Sequence, residues 1–363
     1  MFTSVDKYGI RSENPYDAYI FIFSMVDLHF HTTLSDGQNT SKEIAQEIIR
    51  RQVSLVACTD HDIVNREVLA IIGEYNRENS RSLKKIPYID AVEGVEVSIG
   101  HKDSDYEKSL HITMYARHFS EEIDTILAGI RQGKMDKIQV QCDHLGKIGL
   151  MIRTPFRNIP FSFLSVQSRF PGTRADGINN SHLIALVEEL PENIAILRRL
   201  TDDGITKDNI YQEGFKREGK YTKIVSLPEE LPPYEPTLAS VTRELDMKNT
   251  VVSVAHPHKT FESIEEFRAR IGGLVAQGIN AVEINSDAPE EWVRAIAMVR
   301  KEYNLIFTFG SDLHNLKGVG ENKKVLGNMN PFVTRGAAEY WKQEFLLRTY
   351  GHDYCMMKSG EYA

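Results

Sequence analysis

The chain is 363 residues long, 41% hydrophobic and 26% charged, with a formal net charge of −8. Length and composition fit a soluble globular protein built as one large domain with an insertion, or as two domains. The acidic balance argues against a grip on long nucleic acid, which needs a basic surface, yet leaves room for a small phosphorylated ligand held by a few local cations or metals. In chain order, an apolar run of Phe21, Ile22, Phe23, Met25 and Val26 leads through a strand over 25–28 into His29-Phe30-His31. A helix over 40–52 follows, with Ile44, Ala45, Ile48 and Ile49 on one face. Next come a strand over 54–58, a helix over 65–79, and strands over 86–92 and 110–116.

The interval 117–246 breaks this rhythm. It holds helical stretches over 120–137 and 182–190 and a loop-rich segment over 153–174, and it ends in a proline-rich connection over 227–236. Alternation then resumes: strand 251–255, helix 262–277, strand 281–284, helix 290–303, strand 305–309. Strand–helix repetition of this kind implies parallel strands with crossover helices, in an open sheet or a barrel. Residues 25–116 and 247–325 are expected to form that body. Residues 117–246 are expected to form a mostly helical insertion over its rim, and 326–363 a tail packed on it, to which no function is given.

Cys58, Cys142 and Cys355 have no CxxC spacing and make no disulfide framework, which suits a reducing compartment. Residues 1–7 lack the basic and apolar regions of a secretory leader, and no apolar run approaches membrane-spanning length. The expectation is a cytoplasmic protein that does not associate with membranes.

The chemistry gathers at the strand ends. Residues two apart on a strand share a face, so His29 and His31 project side by side, and Asp36, in the turn closed by Gly37, can reach the same spot. Strand 54–58 runs into Thr59-Asp60-His61-Asp62, and strand 86–92 into Glu93-Gly94-Val95-Glu96. His111 lies in strand 110–116; strand 251–255 ends in His256-Pro257-His258-Lys259, and strand 305–309 in Gly310-Ser311-Asp312-Leu313-His314. Taken singly, each has a plainer explanation: paired surface histidines, Asp60 or Asp62 capping a helix, a satisfied core histidine at 111, loop residues at 312 and 314. Jointly they place histidines and carboxylates along the edge where parallel α/β folds assemble their sites. Nitrogen and oxygen ligands suit manganese, iron or zinc, and about nine of them are too many for one ion. Two or three divalent ions are expected, with Glu96 placed to bridge.

Six segments together resemble the successive motifs of the PHP (polymerase and histidinol phosphatase) family: Asp27-Leu28-His29-Phe30-His31 with Ser35-Asp36-Gly37, Thr59-Asp60-His61-Asp62, Gly94-Val95-Glu96, Leu110-His111-Ile112, Ala255-His256-Pro257 and Gly310-Ser311-Asp312-Leu313-His314. Within the family the chain is most similar to the stand-alone phosphoesterases of nucleoside monophosphates and short nucleotides. The resemblance covers roughly 25–116 and 250–320. It implies an α/β fold, a distorted (β/α)7 TIM-like barrel holding three divalent metals. His29, His31, Glu96 and Asp312 would hold the first, Glu96, His111 and His256 the second, and Asp36, His61 and His314 the third. It also implies in-line attack on phosphorus by water activated between metals.

The sequence departs from the family pattern twice. The phosphate-contacting Arg-Thr-His segment of many members has its nearest counterpart in Asn180-Ser181-His182, where His182 keeps the role or Ser181 caps a helix. Where some relatives carry arginine after Ala-His-Pro, this chain has Lys259, a candidate phosphate anchor without bidentate geometry. Arg174, Arg153 and Arg157 are further anchor candidates. His258 and Asp62 are candidate leaving-group acids, or partners that fix a ligand imidazole, as is Glu283.

The expected activity is a metal-dependent phosphoesterase acting on a nucleoside mono- or bisphosphate. Alternatives are an exonuclease trimming short 5′-phosphorylated oligonucleotides, a histidinol-phosphate-type phosphatase, a metal-dependent amide hydrolase, or a barrel that has lost its chemistry. No GxxxxGK[ST] loop, G-x-S-x-G elbow or HExxH helix is present, and the glycines at 272–273 and 318–320 read as turns.

Overall fold

A computed structural model describes residues 25–81, 87–100, 110–216, 219–228, 235–317 and 324–351. The features expected at 1–7, 21–23, 318–320 and Cys355, together with residue 86 and residues 229–234, lie outside the described residues. In chain order the elements are β1 (Val26–Asp27), α1 (Ser41–Arg51), β2 (Leu55–Val56), α2 (Arg66–Ser80), β3 (Asp90–Ala91), β4 (Glu93–Ile99), β5 (Leu110–Ala116) and α3 (Glu121–Lys147). Then come β6 (Met151–Ile152), β7 (Ile159–Pro160), α4 (Phe163–Arg169), α5 (Asn180–Glu188), α6 (Pro191–Leu200), α7 (Thr222–Val225) and α8 (Leu238–Arg243). The chain continues through β8 (Thr250–Val254), α9 (Pro257–Thr260), α10 (Ile264–Ala276), β9 (Ala281–Asn285), α11 (Glu290–Tyr303), β10 (Ile306–Gly310) and α12 (Arg335–Tyr350).

The described residues fall into two compact units. The first lies within Met1–Lys102, Lys108–Leu127 and Pro236–Ala363, and the second within Asp103–Glu107 and Ala128–Glu235.

In the first unit β1, β2 and β3 form a parallel sheet, and a second sheet runs in the order β10-β9-β8-β5-β4. Main-chain bonds run from Leu28 N to Phe309 O (2.8 Å) and from Asp312 N to His29 O (2.7 Å), tying the end of β1 to that of β10. Others run from Asp62 N to Glu96 O (2.8 Å) and from Val92 N to Val56 O (3.2 Å), tying the β2 segment to β3 and β4. The sheets are therefore linked at both edges, in a mixed α/β unit.

Three sequence expectations need correction. The strand placed over 86–92 is a short β3 followed by the longer β4, which carries two carboxylates, Glu93 and Glu96, fully inside. Those charges interrupt the apolar pattern, but each is met: Glu93 by Arg66 at 2.9 Å, Glu96 by imidazoles. β5, moreover, runs antiparallel to both β4 and β8. Ten residues separate β4 from β5, too few for the crossover that a parallel neighbour needs, so the chain returns along its neighbour. Helix α3 also continues ten residues past the expected end at 137.

The helices start where side chains can satisfy the free N–H groups. Thr40 and Glu43 form a capping box on α1, and Asn65, Ser263 and Thr334 cap α2, α10 and α12. Asn65, not Asp60 or Asp62, is thus the cap of α2. Helix α12 covers the five-stranded sheet: Phe345 meets Tyr115 edge-on at 5.2 Å and Trp341 meets Phe307 at 5.0 Å. The second unit has its own core, including Cys142, Leu145, Leu150, Ile152, Leu186 and Phe215.

Candidate metal centre

His29 and His31 leave β1 with Phe30 between them turned into the core, where it bridges to Leu313. His61 follows β2, His256 follows β8, and Asp312 and His314 follow β10. Two candidates are not at C-terminal strand ends. Glu96 is in the middle of β4, and His111 is the second residue of β5. The reversal of β5 explains the second case, because its opening residues lie at the edge its neighbours reach with their closing ones.

All nine predicted ligands converge. Glu96 is the hub: its Oε1 lies 2.9 Å from His111 Nδ1 and 3.1 Å from His256 Nε2. Its Oε2 lies 3.1 Å from His29 Nε2, 3.2 Å from His31 Nε2 and 3.5 Å from His61 Nδ1. Asp36 lies 3.4–3.6 Å from His31, His61 and His314. Asp312 Oδ1 lies 3.5 Å from His31 Nε2, 3.6 Å from His314 Nδ1 and 3.8 Å from His29 Nε2. His29, His31 and Glu96 are buried, whereas His61, His111, His314 and Asp36 keep partial access to solvent.

An outer layer fixes these groups. Glu283 Oε2 takes His29 Nδ1 at 2.7 Å, which turns Nε2 towards Glu96, and Asn285 holds the other Glu283 oxygen at 2.7 Å. Buried Asp60 accepts from Thr32 N, Thr32 Oγ1 and Ser35 Oγ at 2.7 Å each and from Asn65 at 2.8 Å, locking the turn that presents Asp36. Buried Asp27 accepts from the Ser311 hydroxyl (2.7 Å) and from Gly327 N (2.8 Å), which pins the strand end that carries Asp312. A Cβ on Gly310 would overlap that of His29, so only glycine lets β10 pass so close. Asp62, His256 and Asp312 have φ of 54°, 29° and 52°, left-handed values that non-glycine residues adopt at a cost and that cluster at functional sites.

Electrostatics follow from this crowding. Burial opposes a charged His29, but Glu283 and Glu96 outweigh it and hold the imidazole well above its usual range. Burial likewise opposes charge on His31, yet the close carboxylates of Asp312, Glu96 and Asp36 raise it to about 10. Glu96, Asp36 and Asp312 are all driven down by neighbouring imidazoles against their own desolvation. Among the described residues Asp27 has no cationic partner, and burial pushes it up to about 6.

The remaining predicted residues divide into two groups. Lys259 Nζ is 2.9 Å from Asp312 Oδ2, and His258 Nε2 is 3.0 Å from Asp287, so both adjoin the centre. Asp62 is buried beside it, its main-chain N–H bonded to Glu96 O. Arg174 and His182 belong to the second unit and are engaged locally: Arg174 pairs with Asp176 at 2.9 Å, and His182 closes a capping box with Asn179 at 2.8 Å. The cap of α5 is thus Asn179, with Ser181 already helical. Exposed Arg153 and Arg157 also lie in the second unit. Sequence reasoning missed Lys324, whose Nζ is 2.7 Å from Asp312 Oδ2, and Asp287, which faces His258, Lys259 and Lys324. Neither falls in a motif.

The donor set fits divalent cations. Three groups have ligand atoms within 4.8 Å of one another: His31, Asp36, His61 and His314; His29, His31 and Asp312; and His29, Glu96 and His256. Both ring nitrogens of His31 are buried without a hydrogen-bond partner, which is costly for a polar group unless something else takes its lone pair. Imidazoles and carboxylates alone, with no thiolate, match the borderline and harder ions.

No protein-family model matches the chain, and no curated protein does. Among solved structures, a Bifidobacterium adolescentis protein provisionally named a metal-dependent phosphoesterase superposes with a TM-score of 0.60 at 18% identity, over 89% of this chain and 96% of its own. An amidohydrolase from Chromobacterium violaceum, solved with bound sulfate and no metal, gives 0.59 at 18% identity, over 87% of this chain and 96% of its own. A two-domain Bacteroides vulgatus protein, one part of it provisionally named a PHP-like metal-dependent phosphoesterase, gives 0.33 at 10% identity, over 80% of this chain and 52% of its own. The first two likenesses establish a shared fold. Among the described residues no helix is long and apolar enough to cross a membrane.

Proposed function

We propose that the chain is a metal-dependent phosphoesterase of the PHP type, with two or three divalent cations, manganese, iron or zinc, held by the nine converging ligands. The observation that carries this reading is Glu96, which offers its two oxygens to five imidazoles from four separate segments. The hydrogen bonds joining the two sheets at both edges support a single distorted (β/α)7 barrel as the scaffold.

Bound there, divalent cations would supply Lewis acidity to a phosphoryl oxygen and acidify a water molecule near neutral pH. The chain's own residues do the rest. His29 and His31, fixed by Glu283 and by β1, hold their nitrogens inward, while Asp36, His61 and His314 form a solvent-accessible side by which a substrate can enter. Three carboxylates against two or three divalent ions leave the centre positive, so it attracts a phosphate despite the chain's overall acidity. For leaving-group protonation the geometry favours His258 over Asp62: Nε2 rests on Asp287 and Nδ1 is buried without a hydrogen bond. The small substrate we favour is a nucleoside mono- or bisphosphate, because the motif set resembles the nucleotide-acting branch and no basic stripe serves a long polymer.

The test is to assay metal-replete protein on a nucleoside monophosphate and on a short 5′-phosphorylated RNA. Phosphate release from the first supports the proposal, and mononucleotide release from the second favours the exonuclease. His31→Ala or Asp312→Ala should abolish turnover while circular dichroism stays unchanged. Inactivity on all phosphate esters, with hydrolysis of cyclic amides, would replace the proposal with an amide hydrolase.

A further inference from the structure

Asp312 faces two ways. Its Oδ1 looks towards His29, His31 and His314, while its Oδ2 receives two ammonium groups, Lys259 Nζ at 2.9 Å and Lys324 Nζ at 2.7 Å. Lys324 Nζ also donates to the Asp312 carbonyl at 2.9 Å. Asp287 lies beside the pair, 3.2 Å from Lys259 and 3.7 Å from Lys324, and already holds His258 at 3.0 Å. Two carboxylates thus balance two lysines only while Asp312 has nothing else to neutralise. A cation taken up on the Oδ1 side draws on the charge of Asp312 and leaves the lysine pair in excess. Two like charges a few ångströms apart in a partly buried setting repel unless an anion comes between them. Both side chains keep some exposure, so an incoming anion can reach them.

We infer that Lys324 and Lys259 together form the seat for the reacting phosphoryl group and select phosphomonoesters over phosphodiesters. The inference rests on the phosphoesterase reading above. A monoester end is a dianion with three terminal oxygens, enough to engage both ammonium groups and the cations together. A diester has one negative charge and two free oxygens, so it gains little from the second lysine. Lysine, a compact point charge, suits this task without dictating a bidentate angle.

The test compares wild type, Lys324→Gln and Lys324→Arg, each metal-loaded, on p-nitrophenyl phosphate and on bis-p-nitrophenyl phosphate. Loss of one charged contact to a phosphate should raise KM for the monoester about tenfold or more in Lys324→Gln, with kcat within about threefold. KM for the diester should move less than about threefold, and Lys324→Arg should recover most of the monoester effect. An unchanged monoester KM, an equal shift for both esters, or a loss of bound metal in Lys324→Gln overturns the inference. If the wild type hydrolyses neither ester, the phosphoesterase reading fails, and calorimetry with inorganic phosphate judges the lysine pair alone. Phosphate binding that weakens about tenfold in Lys324→Gln then upholds the seat. Equal binding by both proteins, or none by the wild type, refutes it.

Discussion

The Nδ1 atom of His29 is committed to Glu283 at 2.7 Å, so Nε2 is the nitrogen that would coordinate a cation. Glu283→Gln keeps the shape and removes the charge, so metal affinity should fall about 10–100-fold with the fold intact, as competition against a fluorescent chelator would measure. His31 gives a pH prediction. Without ions its imidazole titrates near 10, so at neutral pH a cation must displace a proton. Metal affinity should therefore rise as pH increases towards 10, and binding should release protons, seen as a buffer-dependent heat in calorimetry. Stability of the ion-free chain carries the opposite sign. A raised imidazole stabilises the fold fully below its unfolded value of about 6.5, and that contribution disappears as pH rises through the folded value. The melting temperature of chelated protein should fall between pH 6.5 and 10, and added metal should abolish the fall.

At the scale of elements, the close passage of β10 over His29 is the most exacting contact. Gly310→Ala has no way to relieve the overlap, since both strands are buried and hydrogen-bonded to each other, so a loss beyond about 4 kcal/mol is expected in denaturant unfolding. Phe345→Ala, which empties the contact of α12 with Tyr115, should cost about 3–5 kcal/mol by the same measurement. Most strands and helices of the first unit were legible because their apolar positions follow a clear period and their caps are of the usual kind. Helix α12 was not: its buried positions 338, 341, 342, 345, 346 and 349 keep helical spacing, but Lys342 and Thr349 fall among them and blur the stripe. Lys342 is tolerated there because it reaches Asp90 at 3.0 Å and Ser54 O at 3.1 Å. The direction of β5 was also hidden, since period-two patterning is the same read either way. The nine converging side chains were visible as motif residues. Asp287 and Lys324 carry no local signal, and the left-handed backbone at His256 has no sequence mark at all.

For the molecule as a whole, the nine candidate ligands all belong to the first unit, while the second has a core of its own. A cation that binds only the folded state stabilises by about 2.7 kcal/mol at a hundredfold excess over Kd. Calorimetric melting with and without manganese should therefore move the transition of the first unit and leave that of the second in place. A common shift of both would mean that the units unfold as one cooperative block.

Glu96 reaches His111 and His256 with one oxygen and His29, His31 and His61 with the other. Whatever settles on one side of that carboxylate fixes its rotamer for the other, so neighbouring positions should fill in concert. A titration stopped halfway would then yield a mixture of empty and fully charged molecules, few of them singly loaded, and activity would climb sigmoidally with added ion.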